Sequence, residues 1–95
     1  MKLLLIVYSG PSPRRITSLF ENHRVDGWTE IDHAHGAGES GRREGTRAWP
    51  GESSLFFTAI DDEPCHELKA ALREEQARLR DGERLHVLSL PVEDF

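Results

Sequence analysis

Two histidines stand two residues apart, His33 and His35, beside Asp32 and at the head of a run that opens Gly36-Ala37-Gly38. Residues i and i+2 of a strand point to the same side, so this spacing can present two imidazoles to one divalent metal. The pair is an incomplete site, because a third ligand from Asp32, Glu39 or a neighbouring subunit has to close it. Two half-exposed histidines beside a loop are the plainer reading. His23, His66 and His86 share no spacing and read as structural.

From Gly36 to Glu52 the chain holds five of its eight glycines, together with Arg42, Arg43, Arg47, Trp49 and Pro50. Glycine backbones let N–H groups converge on an anion, and arginines supply bidentate donors to phosphate or carboxylate. Trp49 can cover a planar ligand or anchor a partner. A surface loop of solvated charges has the same composition. Gly36-Ala37-Gly38-Glu39-Ser40-Gly41 matches G-x-G-x-x-G, but a dinucleotide fingerprint has to open a helix. Gly45, Pro50 and Gly51 forbid one here, and the stretch shows no helix or strand period, so the chain is expected to turn back as a hairpin through a long loop.

The remaining reactive groups point away from catalysis. Cys65, the one cysteine, sits near the start of a helix whose dipole favours thiolate, yet no histidine is placed to serve it, and a packed small apolar residue is expected. Glu74-Glu75 reads as a solvated helix face and Asp61-Asp62-Glu63 as a capping cluster. No catalytic residue is assigned.

Elements that must hold these groups follow from periodicity. Lys2 to Tyr8 is an apolar run stopped by Ser9-Gly10-Pro11, a buried strand. Ser12 is placed as N-cap before Pro13 in the first turn of a helix carrying Ile16, Leu19, Phe20 and His23 to about Asn22. After Gly27, residues 28–33 suit an edge strand, Ser54 to Ile60 a third strand, and Leu85 to Leu90 a last one stopped by Pro91. The second helix, capped by Asp61 or Asp62 with Pro64 in its first turn, turns Cys65, Leu68, Leu72 and Leu79 inward and ends near Arg80.

With 95 residues, there is room for one domain spanning 1–95. Seventeen acidic against twelve basic residues give a formal charge of -5, which disfavours binding to nucleic acid. A lone cysteine fits a reducing compartment, so a cytoplasmic location is expected. The six-residue apolar run at the start is too short for a signal-peptide core, and no run reaches spanning length, so no membrane insertion is expected.

In a βαββαβ domain both helices cover one sheet face, and the strands should then alternate apolar with polar. Three strands do not. The first offers Leu3, Leu5 and Val7 against Leu4, Ile6 and Tyr8, the third Leu55, Phe57 and Ala59 against Phe56, Thr58 and Ile60, and the last Leu85 and Val87 against His86, Leu88 and Leu90. A face carrying Leu4, Ile6, Phe56, Ile60 and Leu88, or the alternate set, exceeds what a monomer leaves in water, so a closed oligomer is expected.

Gly27-Trp28-Thr29 before a strand, Gly36-Ala37-Gly38 opening a long loop, Gly45-Thr46-Arg47-Ala48-Trp49-Pro50-Gly51 closing it, Asp61-Asp62-Glu63, and a final Leu90-Pro91-Val92-Glu93 together resemble a PII-type signalling protein, in a branch divergent from the nitrogen regulators. The resemblance spans nearly the whole chain. It implies an α+β, ferredoxin-like sandwich, a homotrimer packed through its sheets, and a T-loop at Gly36 to Glu52 that contacts an enzyme or a membrane transporter. It also implies an adenine nucleotide or other small anion in clefts between subunits, with Thr29, Gly36 and Gly38 at or near that site. Where nitrogen-type members carry a glycine-rich phosphate loop with a lysine, this chain has Leu79-Arg80-Asp81-Gly82-Glu83-Arg84, in which Gly82 and Arg84 are the substitutes. The family's arginine-bearing C-terminal segment has no counterpart before Phe95, and no loop tyrosine is present for modification. The ligand-binding set is therefore Thr29, Gly36, Gly38, Arg42, Arg43, Arg47, Trp49, Gly82 and Arg84. A PII-like regulator is the first expectation, a metal-binding or metal-responsive trimer using His33 and His35 the second, and a small ferredoxin-like enzyme the third.

Overall fold

The computed structural model describes residues 1–38, 41–42 and 53–95. Its elements are β1 (Lys2–Ser9), α1 (Arg14–Asn22), β2 (Thr29–Ala34), β3 (Ala37–Gly38), β4 (Gly41–Arg42), β5 (Ser53–Ile60), α2 (Asp62–Ala77) and β6 (Arg84–Pro91). Four strands form one antiparallel sheet in the order β2-β5-β1-β6, with β5 inserted between β1 and the strand that follows it across α1. This interleaving of two strand-helix-strand units is the α+β, ferredoxin-like arrangement that the resemblance to PII-type proteins implies.

Register decides which face is the core. Leu4, Ile6 and Tyr8 of β1 pair with Thr58, Phe56 and Ser54 of β5, and Ile6 and Tyr8 pair with Val87 and Leu85 of β6. Paired residues share a face, so these side chains form one layer beneath both helices. Ile16 and Phe20 of α1 and Cys65, Leu68 and Leu72 of α2 complete the core. Phe20 meets Phe56 edge-on at 6.0 Å and Trp28 at 5.2 Å, and burying each large apolar side chain contributes roughly 1.5–3 kcal/mol. Cys65 is a packed core residue, as its place in the apolar spacing implies.

The opposite face carries Leu3, Leu5, Val7, Leu55, Phe57, Ile31, Leu88 and Leu90, and among the described residues no helix lies over it. Leu88 is 62% exposed, Ile31 46% and Leu90 42%. The uncovered set is thus the alternate one. Leu88 belongs with it, not with Leu4 and Ile6, because β6 pairs Leu88 with Leu5.

Local details differ from expectation where tertiary bonds compete. Ser12 does not cap α1. The N-cap is Pro13, without a side-chain bond, and the Ser12 amide donates to the Tyr8 hydroxyl at 3.1 Å while its carbonyl accepts from Arg15 N. Asp61 is the N-cap of α2, with Asp62 and Glu63 in the first turn. That helix ends at Ala77 rather than near Arg80, where the chain tightens into i to i+3 bonds from Arg78 N to the Glu75 carbonyl and from Leu79 N to the Gln76 carbonyl. Residues of the expected loop form a short ribbon, with Ala37 paired to Arg42 and Gly38 to Gly41. Two-residue strands are too short to show a period, so sequence pattern could not report them.

Candidate functional site

One row crosses the end of the sheet: Ala34 pairs with Ser53, Ser53 with Ser9, and Ser9 with Arg84. The Ser9 and Ser53 hydroxyls bond at 2.6 Å inside this row. Gly36, Gly38 and Arg42 follow Ala34 at the β2 edge, while Gly82 precedes Arg84 at the β6 edge. Both groups therefore lie at the same end of the sheet, but three strand spacings, about 14 Å, separate the edges. Thr29 lies away from that end, in the row Thr29-Phe57-Leu5-Leu88 on the uncovered face. Arg43, Arg47 and Trp49 lie outside the described residues.

The loop base is irregular. Pairing of β2 with β5 shifts between Ile31 and Ala34, and His33 has φ 61°. Strand β2 ends at Ala34, so the alternation that would set His33 and His35 on one strand face does not extend to His35. Among the described residues no group of three histidine, cysteine or acidic side chains is placed to hold a metal ion. Just before the shift, burial and then a hydrogen bond and repulsion from Asp32 raise the Glu30 carboxyl above its ordinary range.

At the other edge lies a cluster that sequence reading missed. Glu83 is 5% exposed and accepts hydrogen bonds from the Tyr8 hydroxyl at 2.6 Å, the Arg80 amide at 2.7 Å and Arg15 Nη1 at 2.9 Å. Burial pushes its carboxyl up, but these donors and the charge of Arg15 together hold it below the usual glutamate range. Burial and the bond to Glu83 raise the Tyr8 phenol above 10.0. Arg15 also reaches Glu75, Nε at 3.1 Å and Nη2 at 3.0 Å. Gly82 has φ 90°, which glycine supplies without strain at this turn. Gly10 is needed for a different reason, since a Cβ there would collide with the Tyr8 hydroxyl.

One signal for this cluster is present in the sequence. Strand alternation from Leu85 and Val87 puts position 83 on the helix-covered side, where an acid requires partners. Beside the cluster opens a cleft of about 340 Å³ lined by Pro11, Ser12, Arg15, Arg78, Arg80 and Glu83.

No family model matches the sequence, and no curated protein matches it. Solved structures do. CPII, a nitrogen regulatory PII-like protein from Thiomonas intermedia K12 bound to ADP, AMP and bicarbonate, aligns with TM-score 0.69 and 20% identity over 94% of this chain and 86% of its own. This chain has the fold of the PII-like proteins. The apo form of CPII aligns at TM-score 0.64 with 18% identity, covering 96% of this chain and 89% of that one. A candidate PII-like signalling protein from Thermus thermophilus gives TM-score 0.64 and 20% identity over 94% and 85%. Among the described residues the PII-like fold leaves one sheet face uncovered. Among the described residues no helix is long and apolar enough to cross a membrane.

Proposed function

We propose that this chain is a regulatory protein of the PII-like type, a cytoplasmic homotrimer that binds an adenine nucleotide or a small anion such as bicarbonate between subunits. It is not an enzyme in this reading. The observation that carries it is the division of the expected ligand residues between the two edges of one sheet end. A group at the β2 edge and a group at the β6 edge, about 14 Å apart, cannot close on one small ligand within a single copy. The edge of a neighbouring copy can complete each half. The uncovered face with Leu5, Leu88 and Leu90 supplies the reason for copies to associate, since burying it removes a large apolar surface from water. Ligand binding at such a cleft would act on the adjoining segment from Gly36 to Glu52, through which a partner enzyme or transporter is controlled.

Support from solved relatives is specific in chemistry. Related structures hold ADP, AMP, bicarbonate or acetate, all anions of the kind that arginine forks and turn amides recognise. Isothermal calorimetry of the full chain against ADP, AMP and bicarbonate, paired with light scattering for molar mass, tests the proposal. Saturable binding by a trimer is expected. A monomer, or a trimer that binds none of the three, would overturn it.

A further inference from the structure

The two edges of the sheet carry opposite charge on the helix-covered side. At the β2 edge, Glu30 pairs with the core residue Phe56, which sets its side chain on that side. Asp32 joins it there, accepting a hydrogen bond at 3.4 Å from Ser54, which pairs with the core residue Tyr8. Both acids are exposed. At the β6 edge a cleft of about 140 Å³ opens between α2 and the strand, lined by Lys69, Leu72, Arg73, Gln76, Val87 and Ser89. Lys69 and Arg73 stand one helical turn apart along it. Among the described residues no ion pair or hydrogen bond engages either cation, and no ion pair joins Glu30 or Asp32 to a basic group.

Strand topology makes these edges complementary. Within the sheet β6 pairs only with β1 and β2 only with β5, so each leaves one edge open. Gln76 covers a single point of the β6 edge, donating to the Leu85 carbonyl at 2.8 Å. Backbone groups of alternate residues point the same way, so those of Val87 and Ser89 open onto the cleft. All three strand pairings are antiparallel, and β2 and β6 therefore run in opposite directions. A rotation about an axis along the strands brings β6 of one copy beside β2 of the next as one more antiparallel pair. One row, Glu30-Phe56-Ile6-Val87, crosses the sheet from edge to edge. Acids and cations thus lie at one height, and copies meet without translation along the axis, the condition for a closed ring rather than a filament.

We propose that β6 of one copy and β2 of the next meet edge to edge, and that Lys69 and Arg73 of the first hold Glu30 and Asp32 of the second. The proposal rests on the association reading above and adds what selects the pairing of edges. Burial of the apolar face draws copies together without direction. Opposite charges at the two edges favour head-to-tail contact, and like charges oppose the head-to-head and tail-to-tail alternatives.

Light scattering on the full chain tests this, with far-ultraviolet circular dichroism to confirm folding. Lys69→Glu with Arg73→Glu sets acid against acid at each contact and should weaken association at least about tenfold, moving the mass toward the 10.8 kDa of one copy. Glu30→Lys with Asp32→Lys should do the same. All four substitutions in one chain should recover the parent mass, because every contact is then reversed on both sides. The parent chain gives a reading that needs no substitution: raising sodium chloride from about 0.05 to about 0.5 M should loosen the assembly by screening. Parent mass retained by either double variant, no recovery in the fourfold variant, or assembly indifferent to salt overturns the edge pairing and leaves the trimer reading standing. A parent chain that is monomeric throughout overturns both.

Discussion

The Tyr8 hydroxyl, at the end of β1, donates to the Glu83 carboxylate across 2.6 Å, joining residues 75 positions apart in the chain. The bond ties the strand-to-helix turn at Gly10 to the turn that leads into β6, the two walls of the arginine-lined cleft. Tyr8→Phe keeps the ring in the core but deprives a buried carboxylate of one donor. It is expected to lower stability by about 1–2 kcal/mol, read by urea unfolding, and an unchanged midpoint would show that the bond contributes nothing.

Acid should weaken the fold through Glu83. Its carboxyl is held below the ordinary glutamate value of 4.5 in the folded chain. A lowered carboxyl contributes stability that is fully present above the unfolded value and is lost as pH falls through the folded one. Tyr8 has the opposite sign. Its phenol is raised above 10.0, so its contribution is complete below that value and is lost as pH rises through the folded one. Stability measured from pH 7 down to pH 3 should therefore fall less steeply in Glu83→Gln than in the parent chain.

Gly10→Ala introduces a methyl where the Tyr8 hydroxyl and Cζ lie. Its cost should exceed about 1 kcal/mol, because the residue it displaces is buried and hydrogen-bonded. Residues in contact are not additive, so the same substitution should cost less in a Tyr8→Phe background. A double-mutant cycle with zero coupling would contradict this.

Leu88 on the uncovered sheet face is the place to break an oligomer without touching the core. Its side chain is 62% exposed in one copy and pairs across β1 with Leu5. Leu88→Glu should reduce the molar mass to the 10.8 kDa of one chain while leaving far-ultraviolet circular dichroism unchanged. Light scattering reads the first and a spectrum the second. Retention of the parent mass would place the association surface elsewhere.

Cys65 is 1% exposed and packed in the core. A thiol reagent should therefore label it only at the rate at which the chain opens, and labelling should accelerate with urea in step with unfolding. Rapid labelling in buffer would contradict its place in the core.

Sequence alone determined the order of elements, the edge position of the second strand and the presence of two apolar sheet faces, because strand and helix periods and turn residues are local properties. Resemblance to PII-type proteins added the interleaved sheet. Tertiary structure decided the rest. Only strand register could say that Leu88 faces outward with Leu5 while Leu4 and Ile6 face the helices, since a shift of one residue exchanges the faces. The helix ends also differ from the periodicity: the N-cap of α1 is Pro13, not Ser12, and α2 closes at Ala77 in i to i+3 bonds. The bulge at the loop base removed the face that His33 and His35 were expected to share. Glu83 lies far in sequence from both Tyr8 and Arg15 and the three carry no motif, so the cluster that shapes the candidate site exists only once the fold brings a buried acid to its donors.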